Sequence, residues 1–402
     1  MPKILILSAV FPPEPVVSAS LSRDIAEELS KKNDVVVLCP QPTRPEGFQF
    51  PNEYETENYQ VVRVNSYTCA ASKTIGRFRE SYSFGHHCVQ YIKVNSANID
   101  AIYINSWPLL AQYLVVKTAK KLNIPCVIHV QDIYPESLIN KLKHGGYLFY
   151  KMLLPIDKYS LNNSKRIICI SDNMKQVLVK SRNFSSSKVT VIANWQDEDC
   201  FIRFKNSKIK LEKDLSNSLT FMYLGNIGPL ANVDFLIRSF VNASIPDSKL
   251  VISGSGSRTN ACKILAKSLQ ATNIEFLSVP QGKVPEIQDK ADVMLLPVKK
   301  NGAISSIPSK LPAYMFSSKP IIGSLDTESD TAKAILESDC GIVVEPENEN
   351  QLINAMKEIS KCSRQVLKNK GKAGFDYGML HFSKKANLPK VVSIIQSVSD
   401  GD

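Results

Sequence analysis

Pro308-Ser309-Lys310-Leu311-Pro312-Ala313-Tyr314-Met315, followed at once by Ser318-Lys319-Pro320-Ile321-Ile322-Gly323, reads as a loop running into a helix and then a buried strand. The Ser309-Lys310 pair opens the helix. Unpaired backbone N–H groups and the helix dipole favour an anion there, and Lys310 adds a point charge suited to phosphate. A ligand carrying pyrophosphate fits such a place.

Outward from this stretch, short apolar strands alternate with amphipathic helical segments over the whole chain. Lys3 to Val10, Asp34 to Cys39, Ala101 to Asn105, Pro125 to Val130 and Arg166 to Ser171 form one set of strands. After a polar break at Asn206 to Asn217 a second set follows, from Leu219 to Leu224 through Lys249 to Gly254, Ile274 to Leu277, Val293 to Pro297 and Pro320 to Gly323 to Gly341 to Val344. This βαβ rhythm predicts α/β architecture with two Rossmann-like domains built on parallel sheets. The domains are expected at 1–200 and 214–375, with a hinge near Trp195 to Lys213 and a C-terminal helical tail over 376–402. Pro40 to Pro51 and Tyr67 to His87 are rich in Pro, Gly, Ser and charge, and are expected as surface loops.

A chain of 402 residues with 44% hydrophobic content is long enough for two cores. No apolar run reaches the roughly 18 residues that span a bilayer, and Pro12-Pro13 cuts short the first apolar run, so a cytoplasmic protein is expected. The nine cysteines form no CxxC pair, which speaks for a reducing compartment and against structural zinc; no metal ligands are assigned. Net charge is +11, and between Lys141 and Lys188 ten basic residues meet only Asp157 and Asp172, a net of +8. Interleaved with Tyr147, Phe149 and Tyr150, that stretch reads either as a basic amphipathic surface for an anionic membrane or as a solvated helix face over a core. No nucleic-acid partner is expected.

Three strand ends in the second half carry the candidate ligand contacts. Tyr223-Leu224-Gly225-Asn226-Ile227-Gly228 and Val251-Ile252-Ser253-Gly254-Ser255-Gly256 are strands running into glycine turns, which serve either close ligand approach or a tight strand-to-helix connection. Asp326 to Ala332 opens another helix with capping side chains, and Thr331 is a candidate phosphate or sugar contact there. In the first half, His129-Val130-Gln131-Asp132-Ile133-Tyr134-Pro135-Glu136-Ser137 lies past a buried strand. Asp132 and Glu136 are candidates for accepting a hydroxyl proton or orienting substrate, or else they cap the next helix. A lone strand histidine such as His129 is more often a core residue.

In this order the motifs resemble glycosyltransferase family 4, the retaining nucleotide-sugar transferases of GT-B fold, and the Asp132 stretch resembles those that build bacterial surface polysaccharides. The resemblance implies two Rossmann-like domains facing across an inter-domain crevice, with the C-terminal tail returning to the first domain. It places the donor, a UDP-sugar or a GDP-sugar, at Gly225, Asn226, Gly228, Gly254, Gly256, Ser309, Lys310 and Thr331, with the nucleobase against Val279 and Pro280. No cofactor beyond that nucleotide-sugar substrate is implied, and no metal. A lipid-linked oligosaccharide acceptor and a peripheral position at the inner membrane face follow from the same resemblance.

Departures from the family are specific. Its two glutamates eight positions apart correspond to Ser305 and Ala313, and its Arg and Lys pyrophosphate clamp to Asn226 and Ala231. The turn after the first strand, Pro15-Val16-Val17-Ser18-Ala19, has no glycine. The alternative reading is a catalytically silent GT-B subunit supporting a partner transferase. A nucleotide-sugar epimerase or dehydrogenase is disfavoured by the lack of GxGxxG after the first strand.

Overall fold

The computed structural model describes residues 1–44, 47–50, 56–69, 74–106, 108–139, 146–207, 218–280, 282–302 and 307–401. The chain divides into two compact units, Met1–Asn194 with Asn387–Asp402, and Trp195–Ala386.

The first unit alternates β1 (Lys3–Leu7), α1 (Val17–Leu29), β2 (Asp34–Pro40), β3 (Gln60–Val64), α2 (Thr74–Asn95), β4 (Ala101–Ser106), α3 (Leu109–Lys121), β5 (Cys126–Val130), α4 (Glu136–Ile139), α5 (Gly146–Asn162), β6 (Arg166–Cys169), α6 (Asp172–Arg182) and β7 (Val189–Val191). Its strands form one parallel sheet in the order β3-β2-β1-β4-β5-β6-β7. Strands such as Val35–Cys39 are apolar and buried throughout because helices cover both faces of a parallel sheet.

The second unit runs α7 (Asp199–Asn206), β8 (Leu219–Leu224), α8 (Val233–Ala243), β9 (Ser248–Ser253), α9 (Thr259–Ser268), β10 (Ile274–Leu277), α10 (Val284–Asp289), β11 (Val293–Pro297), α11 (Lys310–Phe316), β12 (Ile321–Ser324), α12 (Asp330–Glu337), β13 (Gly341–Val344), α13 (Glu349–Ser360) and α14 (Arg364–His381). The sheet order is β10-β9-β8-β11-β12-β13, again all parallel. The order reverses between β8 and β11, which makes that pair the topological switch point, where ligands of open α/β sheets bind beyond the strand ends. A final helix, α15 (Lys384–Ser399), starts in the second unit and belongs to the first from Asn387 onward.

Three features depart from the expected layout. Tyr67 to His87 is not a loop for most of its length, since α2 begins at Thr74. Phe84, Cys88 and Ile92 recur at helical spacing into the core, and buried Glu80 is paired by Arg77 one turn earlier and by Arg44. The polar hinge holds α7, anchored by Phe201 packing on Phe316 at 5.7 Å between ring centres; Lys208 to Asn217 lie outside the described residues. The C-terminal tail joins the first unit only from Asn387. Before that, buried Glu198 receives the α15 N–H groups of Lys384 and Lys385, 2.8 and 3.2 Å away, as a carboxylate at a helix start should.

Candidate active site

At the switch point of the second unit β8 and β11 pair only at Phe221–Val293 and Met222–Met294, so their ends splay apart. Tyr314 of α11 fills the gap. Its hydroxyl accepts from the Leu224 N–H and donates to the Leu224 carbonyl, both at 2.9 Å, which satisfies two buried backbone groups that have lost their ladder partner. Beyond Leu224 the chain turns at Gly225, and the Tyr223 hydroxyl donates to the Asn226 carbonyl at 2.6 Å.

Lys310 lies over this turn. A Cβ on Gly225 would come within 2.1 Å of Lys310 Cε, so glycine leaves room for the lysine stem. Lys310 Nζ sits 5.5 Å from the Tyr223 ring centre, a cation–π distance. No carboxylate pairs with it among the described residues, and burial pushes its pKa below the usual lysine value. The ammonium is thus half-buried and unmatched, at the place where an anion is favoured.

The second glycine turn packs directly beneath the first. A Cβ on Gly254 would fall 2.2 Å from the Gly225 carbonyl oxygen, and one on Gly256 would fall 2.4 Å from that of Ile227. Gly225 N–H donates to Ser253 and Ile227 N–H to Ser255, both at 2.9 Å. These two glycines let the two turns pack against each other, as a tight strand-to-helix connection requires. Asn226 is exposed and Gly228 half-buried on the same turn, and Ser309 is exposed just ahead of α11. Val279, half-buried, and Pro280, exposed, follow β10 in the next loop. Thr331 is set apart in the first turn of α12, fully buried, and its hydroxyl has no hydrogen-bond partner among the described residues; the cap of that helix is Ser329, which accepts from Ala332 N–H at 3.1 Å. Ala313 is buried in α11 and Ser305 lies outside the described residues.

In the first unit the paired carboxylates divide. Glu136 places both oxygens on Arg182, as Arg182 Nη2 donates to Oε2 at 2.8 Å and Nη1 to Oε1. Arg182 is fully buried and also donates through Nε to Asp157 and through Nη2 to the Tyr134 carbonyl, each at 2.8 Å. Glu136 therefore ties the start of α4 to Arg182. Asp132 is half-buried and borders a cavity of about 20 Å³ with Tyr134 and Asp157, room for one water. Burial, with Asp132 adding, pushes the Tyr134 hydroxyl up to about 12. His129 is fully buried with Nδ1 at 2.7 Å from the Tyr103 hydroxyl, and burial lowers its pKa to about 4, which keeps it neutral. The glycine-free first turn is organised by buried Glu14, which accepts from the N–H groups of Phe11, Thr43 and Arg44 at 3.2, 3.0 and 2.9 Å. An internal carboxylate occupies backbone donors there.

The basic stretch is not one surface. Arg182 is buried among carboxylates, and Lys175 and Lys188 donate to the carbonyls of Val189 and Asn162. Lys141 and Lys143 lie outside the described residues. Lys158, Lys165 and Lys180 face solvent, as does the start of α5, where Tyr147, Leu148 and Met152 are each more than 60% exposed and Lys151 Nζ lies 4.7 Å from the Tyr147 ring centre. Sequence reasoning passed over Tyr223, Glu14 and Arg182. Arg182 left no local signal, because its partners Asp157 and Glu136 lie 25 and 46 residues away in sequence.

Two doubly wound parallel sheets, one in each unit, are the architecture of the GT-B fold. The family model "Glycosyltransferase Family 4" matches residues 19–199 and "Glycosyl transferases group 1" matches residues 218–361, so each falls on one half of the chain. The chain belongs to these glycosyltransferases. An Escherichia coli UDP-Gal:alpha-D-GlcNAc-diphosphoundecaprenol alpha-1,3-galactosyltransferase is 26% identical over 187 residues, 44% of this chain and 47% of the relative. The match thus spans about half the length of that relative. A glycosyltransferase from Rickettsia africae superposes with a TM-score of 0.74 at 17% identity, covering 100% of this chain and 99% of the other. Anabaena HepE in complex with UDP and glucose superposes at 0.69 with 14% identity, over 99% of this chain and 100% of the other. Both structural likenesses concern the fold.

Proposed function

We propose that the chain is a retaining glycosyltransferase that moves a sugar from a nucleotide diphosphate to a lipid-linked glycan precursor of a surface polysaccharide, such as capsule, O-antigen or exopolysaccharide. The observation that carries this reading is Lys310, a half-buried ammonium without a counter-charge, seated between Gly225 and the Tyr223 ring at the switch point. A UDP-sugar is favoured over a GDP-sugar, supported by the UDP in the HepE complex and the galactosyl donor in the E. coli relative's name.

In this reading Lys310 meets the charge that grows on the departing diphosphate, and no metal ion is assigned a role. Val279 and Pro280 border the nucleobase, and the unpartnered Thr331 hydroxyl is available to a phosphate or sugar oxygen. Asp132 is the acceptor-side carboxylate and Glu136 holds α4 through Arg182. No side chain is given a covalent role. The exposed Tyr147, Leu148 and Met152 with Lys151 form the contact with an anionic inner-membrane face, where the lipid-linked acceptor resides.

Incubating the purified protein with labelled UDP-galactose, UDP-glucose, UDP-N-acetylglucosamine or GDP-mannose and lipid-diphosphate-linked sugars tests the reading. Label should enter the lipid fraction from one donor with its anomeric configuration kept. Inversion would rule out the retaining course, and donor binding without transfer from any donor would point to a silent subunit.

A further inference from the structure

The turn from Gly225 to Ala231 contains no cation, and a diphosphate presents two phosphate groups where Lys310 supplies one positive charge. The structure brings a second lysine to the same turn from the far side of the switch point. Beyond β11, Val298 N–H still follows β12 by donating to the Ser324 carbonyl at 2.9 Å, but Lys299 N–H swings across and donates to the Leu230 carbonyl at 3.1 Å. The turn that carries Lys299 is locked. Gly302 N–H closes it onto the Lys299 carbonyl at 2.9 Å, and Asn301, at a φ of 65°, donates its N–H to Asp326 Oδ1 at 2.9 Å.

Lys299 is half-buried and makes no ion pair among the described residues. Its basic neighbours differ. Arg258, whose N–H donates to the Ile227 carbonyl, already has Asp234 at 3.5 Å, and Lys300 is exposed one residue further along. The β8 turn thus has the Lys310 stem against Gly225 at one end and the Lys299 backbone bonded to Leu230 at the other, and neither lysine is in an ion pair among the described residues.

We propose that Lys299 is the second phosphate-binding cation of the donor site, acting with Lys310 to clamp a nucleoside diphosphate across the splayed ends of β8 and β11. This rests on the donor-site reading above. The placement follows from topology: Lys299 lies two residues beyond the end of β11, the strand that neighbours β8 at the switch point.

The test is titration calorimetry of the full-length protein with UDP and with GDP at two salt concentrations. Lys299→Gln should weaken binding of the preferred nucleotide by about ten- to a hundredfold, as expected for one charge-assisted contact, and should flatten its salt dependence. Lys299→Arg should retain binding, while Lys300→Gln and Arg258→Gln should resemble the unaltered protein. Each variant's melting temperature separates misfolding from a lost contact. Unchanged affinity in Lys299→Gln, or equal losses in all three Gln variants, would overturn the assignment while leaving the donor site standing. Absence of binding to either nucleotide by the unaltered protein would overturn both.

Discussion

The stem of Lys310 occupies the space that a side chain on Gly225 would fill, with Cε 2.1 Å from the position of the absent Cβ. Two residues far apart in sequence thus specify one another. The obstructing atom belongs to a flexible side chain, so Gly225→Ala should displace the lysine, with some loss of stability from a φ of 155° that L side chains rarely adopt. Its UDP affinity should fall to the level of Lys310→Ala, and the double variant Gly225→Ala/Lys310→Ala should lose no more than either alone. Strict additivity in that double-mutant cycle, read by calorimetry, would show the two residues to be uncoupled.

Gly254 presents the opposite case, because the atom in the way is the Gly225 carbonyl oxygen and backbone cannot step aside. Its φ of 122° adds a conformation that L side chains avoid. Gly254→Ala should cost about 2–3 kcal/mol, measured by urea unfolding, with the second unit losing its structure first. A stability change within experimental error would mean the two turns are not packed as described.

The buried charge cluster predicts a third outcome. Arg182→Met leaves Glu136 and Asp157 facing each other without a cation, and should destabilise the first unit by about 3–5 kcal/mol. Glu136→Gln keeps a hydrogen-bond acceptor on Arg182 and should cost less. If Glu136→Gln abolished sugar transfer with no loss of stability, Glu136 would be a participant in the chemistry rather than a support.

Much of the fold was legible because both-face burial writes parallel strands as apolar runs, as in Val35–Cys39 and Val293–Pro297, and strand ends are punctuated by Gly225 and Gly254. The site was legible only where a motif is local, as at Ser309-Lys310. The contacts of Lys310 with Gly225 and of Lys299 with Leu230 join segments that only the sheet order makes neighbours. Arg182 misled for a related reason. Basic residues on a helix ordinarily face water, and nothing adjacent in sequence reveals that Glu136 and Asp157 close on it. Tyr67 to His87 misled by composition, since Glu80 and the arginines that pair with it are charges held inside.

His129 sets a pH dependence. Its folded pKa of about 4 lies below the ordinary histidine value, so between that value and about 4 the unfolded chain binds a proton that the native state does not. Stability from this group is full above the unfolded pKa and is lost as pH falls through that window. Asp157, raised by burial to about 6, works in the opposite sense, its contribution being lost as pH rises toward 6. The difference in melting temperature between the unaltered protein and His129→Gln, followed from pH 7 to pH 4, isolates the histidine. A difference that does not change with pH would mean that His129 titrates alike in the folded and unfolded chain.

The most direct test of the central claim, that Lys310 at the switch point binds the donor diphosphate, is titration of UDP and GDP into the full-length protein and into Lys310→Ala. One nucleotide is expected to bind saturably, and the substitution to weaken it by about ten- to a hundredfold, the worth of a single charge-assisted contact of roughly 1.5–3 kcal/mol. Equal affinity in the two proteins, or no binding of either nucleotide at millimolar concentration, would contradict the account.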